Sequence, residues 1–179
     1  MFSKIVDENL ELRIVSEKYA EELNSLIHKN LEHISEWMPW ATENYSVDSA
    51  KEFIKNGKQR FVETEMADFF ILENKNLIGI VGFNRPDLVN RSVEIGYWLD
   101  KNKTGKGIIT KCCKILIDFA FYELNFNRIS IRCATENFKS QAIPERLGFT
   151  KEGIARQDEK LHDKFVDLIV YSMLKEEWR

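Results

Sequence analysis

Residues 92–119 read as a strand, a glycine turn and a helix in direct succession, and no other stretch restricts the fold as much. In SVEIGYWL, Val93, Ile95, Tyr97 and Leu99 point one way while Glu94, Gly96 and Trp98 point the other, the two-residue period of a strand. A lysine-rich turn follows, with Gly105 and Gly107 one residue apart. Ile108, Cys112, Ile115, Leu116 and Phe119 then recur at helical spacing, and RISIRCA returns as a β-rich segment. This β-turn-α-β unit commits the chain to an α/β architecture.

The segments around it extend that order. Residues 10–15 alternate as a short strand, and Ser16 is placed to cap a helix carrying Tyr19, Ala20, Leu23, Leu26 and Ile27 on one side. LEHISEWMPW is a helical turn that Pro39 should end, and Ser46 precedes a longer helix with Ala50, Phe53, Ile54, Gly57 and Phe61 at helical spacing. DFFILENKNLIGIVGFN reads as a hairpin turning at residues 74–76, which introduces antiparallel sheet, and a loop containing Pro86 leads on to the fourth strand. After RISIRCA come a short helix over 140–147, closed by Gly148, and two long strands around HDKF. At 179 residues, with 44% hydrophobic and 31% charged residues and no repeats, the chain is expected to fold as a single domain, 1–179.

A glycine turn between a strand and a helix gathers free backbone N–H groups at a helix N-terminus, where the dipole favours negative charge. Lys103, Lys106 and Lys111 add local cations. The turn therefore suits a phosphate, although solvated lysines on an ordinary turn have the same spacing. A dinucleotide fingerprint needs glycine where Thr110 stands, and a phosphate-binding loop of the Gly-Lys-Ser/Thr kind needs Ser or Thr where Gly107 stands. The formal net charge of −3 and pI near 5.7 give no global attraction for nucleic acid or anionic membrane, so neither is expected as a partner. Three cysteines without Cys-x-x-Cys spacing and three scattered histidines predict structural thiols and no metal. A charged N-terminus and the lack of any membrane-length apolar run predict a cytoplasmic protein.

The order β-α-α-β-β-β-turn-α-β-α-β-β, with TGKGI after the fourth strand, resembles the GNAT N-acetyltransferase superfamily. ISEWMPW, NRSVEIGYWLDKNKTGKGIITK, LNFNRISIRC, NFKSQAIPERLGFTKEG and VDLIVYSMLKEEW are together similar to its RimJ/RimL branch, which acetylates protein N-termini including those of ribosomal proteins. The resemblance implies a mixed, mostly antiparallel central sheet flanked by helices, and acetyl-CoA as co-substrate. It implies that backbone groups of Trp98 and Leu99 meet the pantetheine, and that Lys103, Thr104, Gly105, Lys106, Gly107 and Ile108 surround the pyrophosphate. Asn102 stands where the family has Gln or Arg, which weakens one side-chain contact. Asn137 and Ser140 match the family's Asn-x-x-Ser, where Asn holds the cofactor arm and Ser protonates the departing thiolate. By residue type alone they are a loop asparagine and a helix-capping serine.

Acetyl transfer to an amine needs a neutral amine, stabilisation of the developing oxyanion and a leaving thiolate. The candidate bases are Glu94, on the strand face shared with Trp98, and Glu159, favoured because it matches a glutamate assigned as base in the serine-specific branch. Either has to be desolvated to work near neutral pH. Asp158, Glu159, Asp163 and Asp167 form an acidic cluster for a cationic amine, or simply a soluble surface. Trp37 and Trp40 are candidate substrate contacts beside Met38 and Pro39, or core aromatics. Cys112 and Cys113, in the first turns of the cofactor helix, are expected to be structural. The expected activity is direct transfer of acetyl from acetyl-CoA to a protein N-terminal α-amine; the alternatives are a small amine (polyamine or antibiotic) and a non-catalytic acyl-CoA-binding module. A homodimer is implied by the resemblance alone.

Overall fold

The computed structural model describes residues 3–64 and 66–179. In chain order the elements are β1 (Ser3–Ile5), β2 (Leu10–Ile14), a 3-10 turn (Glu17–Tyr19), α1 (Ala20–Lys29), α2 (Leu31–Ser35), α3 (Val47–Thr64), β3 (Asp68–Glu73), β4 (Asn76–Asp87) and β5 (Ser92–Leu99). Then follow a 3-10 turn (Lys101–Lys103), α4 (Ile108–Asp118), a π-helical turn (Phe119–Glu123), β6 (Arg128–Ala134), α5 (Phe138–Arg146), β7 (Thr150–Leu161) and β8 (Lys164–Leu174). The strands form one mixed sheet in the order β1-β2-β3-β4-β5-β6-β8-β7. β5 and β6 pair in parallel, while β1/β2, β2/β3, β3/β4, β6/β8 and β7/β8 pair antiparallel. β1 is an addition to the expected order, so the glycine turn follows the fifth strand rather than the fourth. Among the described residues no helix is long and apolar enough to cross a membrane.

By contacts the chain forms two compact units, Met1–Gly82 with Tyr97–Cys112, and Phe83–Gly96 with Cys113–Arg179. In the first, the stripe expected on α1 is buried: Tyr19, Ala20, Leu23, Leu26 and Ile27 pack with Ala50 and Ile54 of α3 and with Phe70 and Leu72 of β3. Tyr19 meets Phe70 edge-on at 5.4 Å. Burying Leu23 and Ile54 fully is worth about 1.5–3 kcal/mol each. Ser46, which precedes the helix as expected, caps α3, its Oγ accepting the N–H of Ser49 at 3.1 Å. Ser16 does not cap α1, since the 3-10 turn comes between them and no side-chain cap bond forms. The β3/β4 hairpin turns on Asn74 (φ 49°) and Lys75 (φ 69°), the two left-handed residues that a tight two-residue loop requires.

The second unit is built on alternation along β6: Ile129, Ile131 and Cys133 are buried, while Arg128, Ser130 and Arg132 lie on the opposite face. Phe83 of β4 packs against Phe119, ring centroids 6.3 Å apart. Pro86 is not in a loop; β4 continues through it to Asp87, because the proline φ is compatible with extended backbone and the reversal is made by residues 88–91 instead. α5 begins at Phe138, two residues before the expected start, because Asn137 and not Ser140 caps it.

Candidate active site

In the first unit, β5 delivers the chain into the turn under tight control. A Cβ on Gly79 of β4 would lie 2.4 Å from the carbonyl oxygen of Trp98 and 3.0 Å from Leu99 Cα, so only glycine allows this approach. Asp100 N–H then donates to Ile78 O at 2.7 Å. The buried Asp100 carboxylate accepts the Asn102 N–H through one oxygen and Lys29 Nζ through the other, both at 2.9 Å. Burial disfavours its charge, but the bonds from Lys29 and Asn102 outweigh that and hold its pKa below the ordinary value. Buried Asn30 completes the clamp, its Oδ1 accepting the Lys101 N–H at 2.9 Å and its Nδ2 donating to Leu26 O at 3.0 Å.

Beyond this clamp, Gly105 (φ 77°) and Gly107 (φ 73°) take left-handed backbone. No heavy atom lies within 4 Å of a Cβ built on either, so glycine is there for its dihedrals and leaves an open cradle. Gly107 O accepts the Lys111 N–H at 3.0 Å, so the cradle leads straight into the first turn of α4, where the helix dipole favours negative charge. These are the features a pyrophosphate needs. Of the three lysines, Lys103 is bound to Glu73 and Lys111 to Asp7 at 2.7 Å, and among the described residues Lys106 forms no ion pair. Thr104 Oγ donates to Lys101 O at 2.9 Å, and Ile108 is buried under the helix start.

The same unit brings Trp40 to Trp98, centroids 6.4 Å apart, and to Tyr45 at 5.8 Å. Trp40 is exposed, Trp37 half-buried, and burial pushes the Tyr45 phenol up to about 12. Cys112 and Cys113 are fully buried, and burial pushes the Cys112 thiol up to about 12, so it is a thiol and no nucleophile at neutral pH.

In the second unit, the parallel register Ser92↔Arg128 and Glu94↔Ser130 puts Glu94 on one face with Arg128, Ser130 and Arg132. These residues and Arg85 line a cavity of about 250 Å³. Burial raises the Glu94 pKa; Arg85 and Arg132 pull it down, the charge of Glu159 pushes it up, and the net shift is upward. The structure thus brings the two candidate carboxylates into electrostatic range but desolvates only Glu94, while Glu159 is exposed. The register of β7 against β8 shifts between Ala155 and Glu159, where Gln157 has φ 51° and its N–H donates to Asp167 Oδ1 at 2.8 Å. Such bulges re-aim side chains. Asp158, in the bulge, pairs with Arg132.

Asn137 caps α5, its Oδ1 accepting the Ser140 N–H at 3.1 Å, and Ser140 Oγ lies 3.2 Å from Cys133 Sγ. Gln141 anchors the helix to the end of β6 through Nε2 bonds to Ala134 O (2.9 Å) and Thr135 O (3.0 Å). Asp100, Asn30, Arg85, Arg132 and Gln141 escaped the reading of the sequence. Asp100 alone had a local signal, an aspartate heading a tight turn. Among the described residues no cluster of three or more His, Cys, Asp and Glu is arranged to hold a metal.

Known proteins resemble this chain in sequence and in fold. The family described as Acetyltransferase (GNAT) domain matches residues 9–150. "Putative ribosomal N-acetyltransferase YdaF" of Bacillus subtilis (strain 168) is 38% identical over 179 residues, covering 99% of this chain and 98% of its own length. The ribosomal-protein-serine acetyltransferase of Escherichia coli (strain K12) is 31% identical over 169 residues, 94% of each chain. Among solved structures, the microcin C7 self-immunity acetyltransferase MccE, in complex with acetyl-CoA and AMP, superimposes with a TM-score of 0.89 at 32% identity over 94% of both chains. With its clamped glycine cradle and these relatives, the chain belongs to the GNAT acetyltransferase family, in the RimJ/RimL-like branch, and is an acetyl-CoA-dependent N-acetyltransferase.

Proposed function

We propose that the protein acetylates the N-terminal α-amine of a protein, a ribosomal protein in the first instance, by direct transfer with both substrates bound. The observation that carries this reading is the half-buried Glu94 carboxylate, set by the β5/β6 register on one face with Arg128, Ser130 and Arg132 and raised in pKa by burial. A peptide α-amine has pKa ~8 against ~10.4 for lysine, so a carboxylate base of modestly raised pKa suits the former. The names of the relatives of Bacillus subtilis and Escherichia coli point the same way.

In this mechanism acetyl-CoA supplies an activated acetyl thioester. The cradle at Gly105, Lys106, Gly107 and Ile108 holds the pyrophosphate by backbone N–H groups, with Lys103 and Thr104 fixing its rim. Backbone groups of Trp98 and Leu99 orient the pantetheine. Asn137 has spent its carboxamide oxygen on Ser140 N–H and keeps its NH2 for the cofactor arm. Glu159 meets the incoming amine, and Glu94, whose pKa burial raises, takes up its proton. The Ser140 hydroxyl donates a proton to the departing sulfur. Trp37 and Trp40 contact the acceptor. The reading takes residues 1–179 as one acetyltransferase domain, working in the cytoplasm as a homodimer. The likeness to MccE, solved with AMP, favours a small amine as the second reading of the acceptor.

Direct transfer is tested by initial velocities on a peptide with a free N-terminal serine. Reciprocal plots against acetyl-CoA at several peptide concentrations should intersect; parallel lines would mean an acetyl-enzyme and overturn the mechanism.

A further inference from the structure

We infer that the Arg85 corner of the second-unit cavity is an acidic-residue subsite, binding a side-chain carboxylate that follows closely on the acceptor α-amine. The inference deepens the peptide reading above and rests on it. Its basis is the different engagement of the arginines that line this space. Arg85, Arg128 and Arg132 bring three guanidinium groups, and Ser92 and Ser130 two hydroxyls, into about 250 Å³ whose one lining carboxylate is Glu94.

Two of the guanidinium groups are already committed. Arg128 makes a bidentate pair with Glu152, both bonds 2.6 Å, and Glu152 is itself held by Ser172 Oγ at 2.8 Å. Arg132 pairs with Asp158. Arg85 differs: its ion pair with Glu94, at 3.8 Å, is too long for a hydrogen bond, and its side chain is 61% exposed. A planar fork of five N–H donors in that state matches a carboxylate in two-point contact. The backbone supports a purpose for this placement. Arg85 has φ 47° directly before Pro86, a conformation that few non-glycine residues adopt, and it is among the residues lining the cavity.

The two halves of such an acceptor complement each other. Its cationic amine goes to the Glu94/Glu159 pair, and its carboxylate goes to Arg85 a few ångströms from Glu94. Arg85 by itself pulls the Glu94 pKa down, so an acceptor carboxylate seated on it also leaves Glu94 more basic.

The test uses lysine-free peptides with a free N-terminal serine and Glu at position 2, Glu at position 3, or Gln at both. Each is assayed for kcat/KM by CoA release and for Kd by calorimetry on the full chain. One Glu peptide should exceed the Gln peptide roughly tenfold in both, Arg85→Gln should abolish that difference, and Arg85→Lys should keep part of it. Equal values for all peptides on the unsubstituted protein, or a preference that survives intact in Arg85→Gln, would overturn the subsite. Tighter, Arg85-dependent binding of a Glu peptide without any turnover would uphold the subsite and reject the α-amine reading instead.

Discussion

Glu94→Gln and Glu159→Gln are each expected to lower kcat on an N-terminal peptide by about a hundredfold, and the double substitution by little more than either alone. The size is that of a lost general base. The lack of additivity follows because both carboxylates serve one proton transfer, so losing either already forfeits the step. The pH dependence carries the sign. Glu94 is raised by burial and by the charge of Glu159, so its basic form is depleted as pH falls through a pKa above the ordinary glutamate value. The acid limb of kcat/KM should therefore lie above that value. Glu159→Gln removes the like charge, lowers the Glu94 pKa, and should move the limb of the residual activity to lower pH. Strictly additive losses, or a limb that moves upward, would show that the carboxylates act independently.

Asp100→Ala is expected to weaken acetyl-CoA binding at least tenfold and to cost about 2–3 kcal/mol of stability. The carboxylate touches no substrate; it holds the turn that does. Its removal leaves the Asn102 N–H without its acceptor and Lys29 without its partner. Lys29 is 58% exposed and recovers hydration, so the loss falls below that of a fully buried pair. Asp100→Asn keeps one acceptor and should lose less. Because the folded Asp100 pKa is lowered, its stabilisation is present above the ordinary aspartate pKa and is lost as pH falls through the folded value. Calorimetry of acetyl-CoA binding, with Lys106→Glu as a variant that weakens binding without lowering Tm, separates positioning from general damage. A folded Asp100→Ala protein with unchanged affinity would remove the clamp from the account.

What the sequence revealed and what it hid divide along a physical line. Features fixed within a few residues were legible: the alternation of β5, the left-handed glycines of the cradle, the Asn74-Lys75 turn and the apolar stripe of α1. Capping was legible only in part, since Asn137 and Ser140 both suit a helix start and backbone geometry chooses between them. Features made by distant partners were invisible. The charge state of Asp100 depends on Lys29, 71 residues away, and that of Glu94 on Arg85, Arg132 and Glu159, which belong to three different strands. The lysines show the same limit: the sequence places three local cations near the cradle, and folding pairs Lys103 with Glu73 and Lys111 with Asp7.

CoA release from acetyl-CoA is to be compared for two peptides, one with a free N-terminal serine and no lysine, the other N-terminally blocked with an internal lysine. A carboxylate base of modestly raised pKa predicts release with the free terminus and, with the lysine peptide, a rate lower by roughly a hundredfold or more, the ratio of their neutral amine fractions at pH 7. Equal release from both, or release from the lysine peptide alone, would contradict an enzyme built for α-amines.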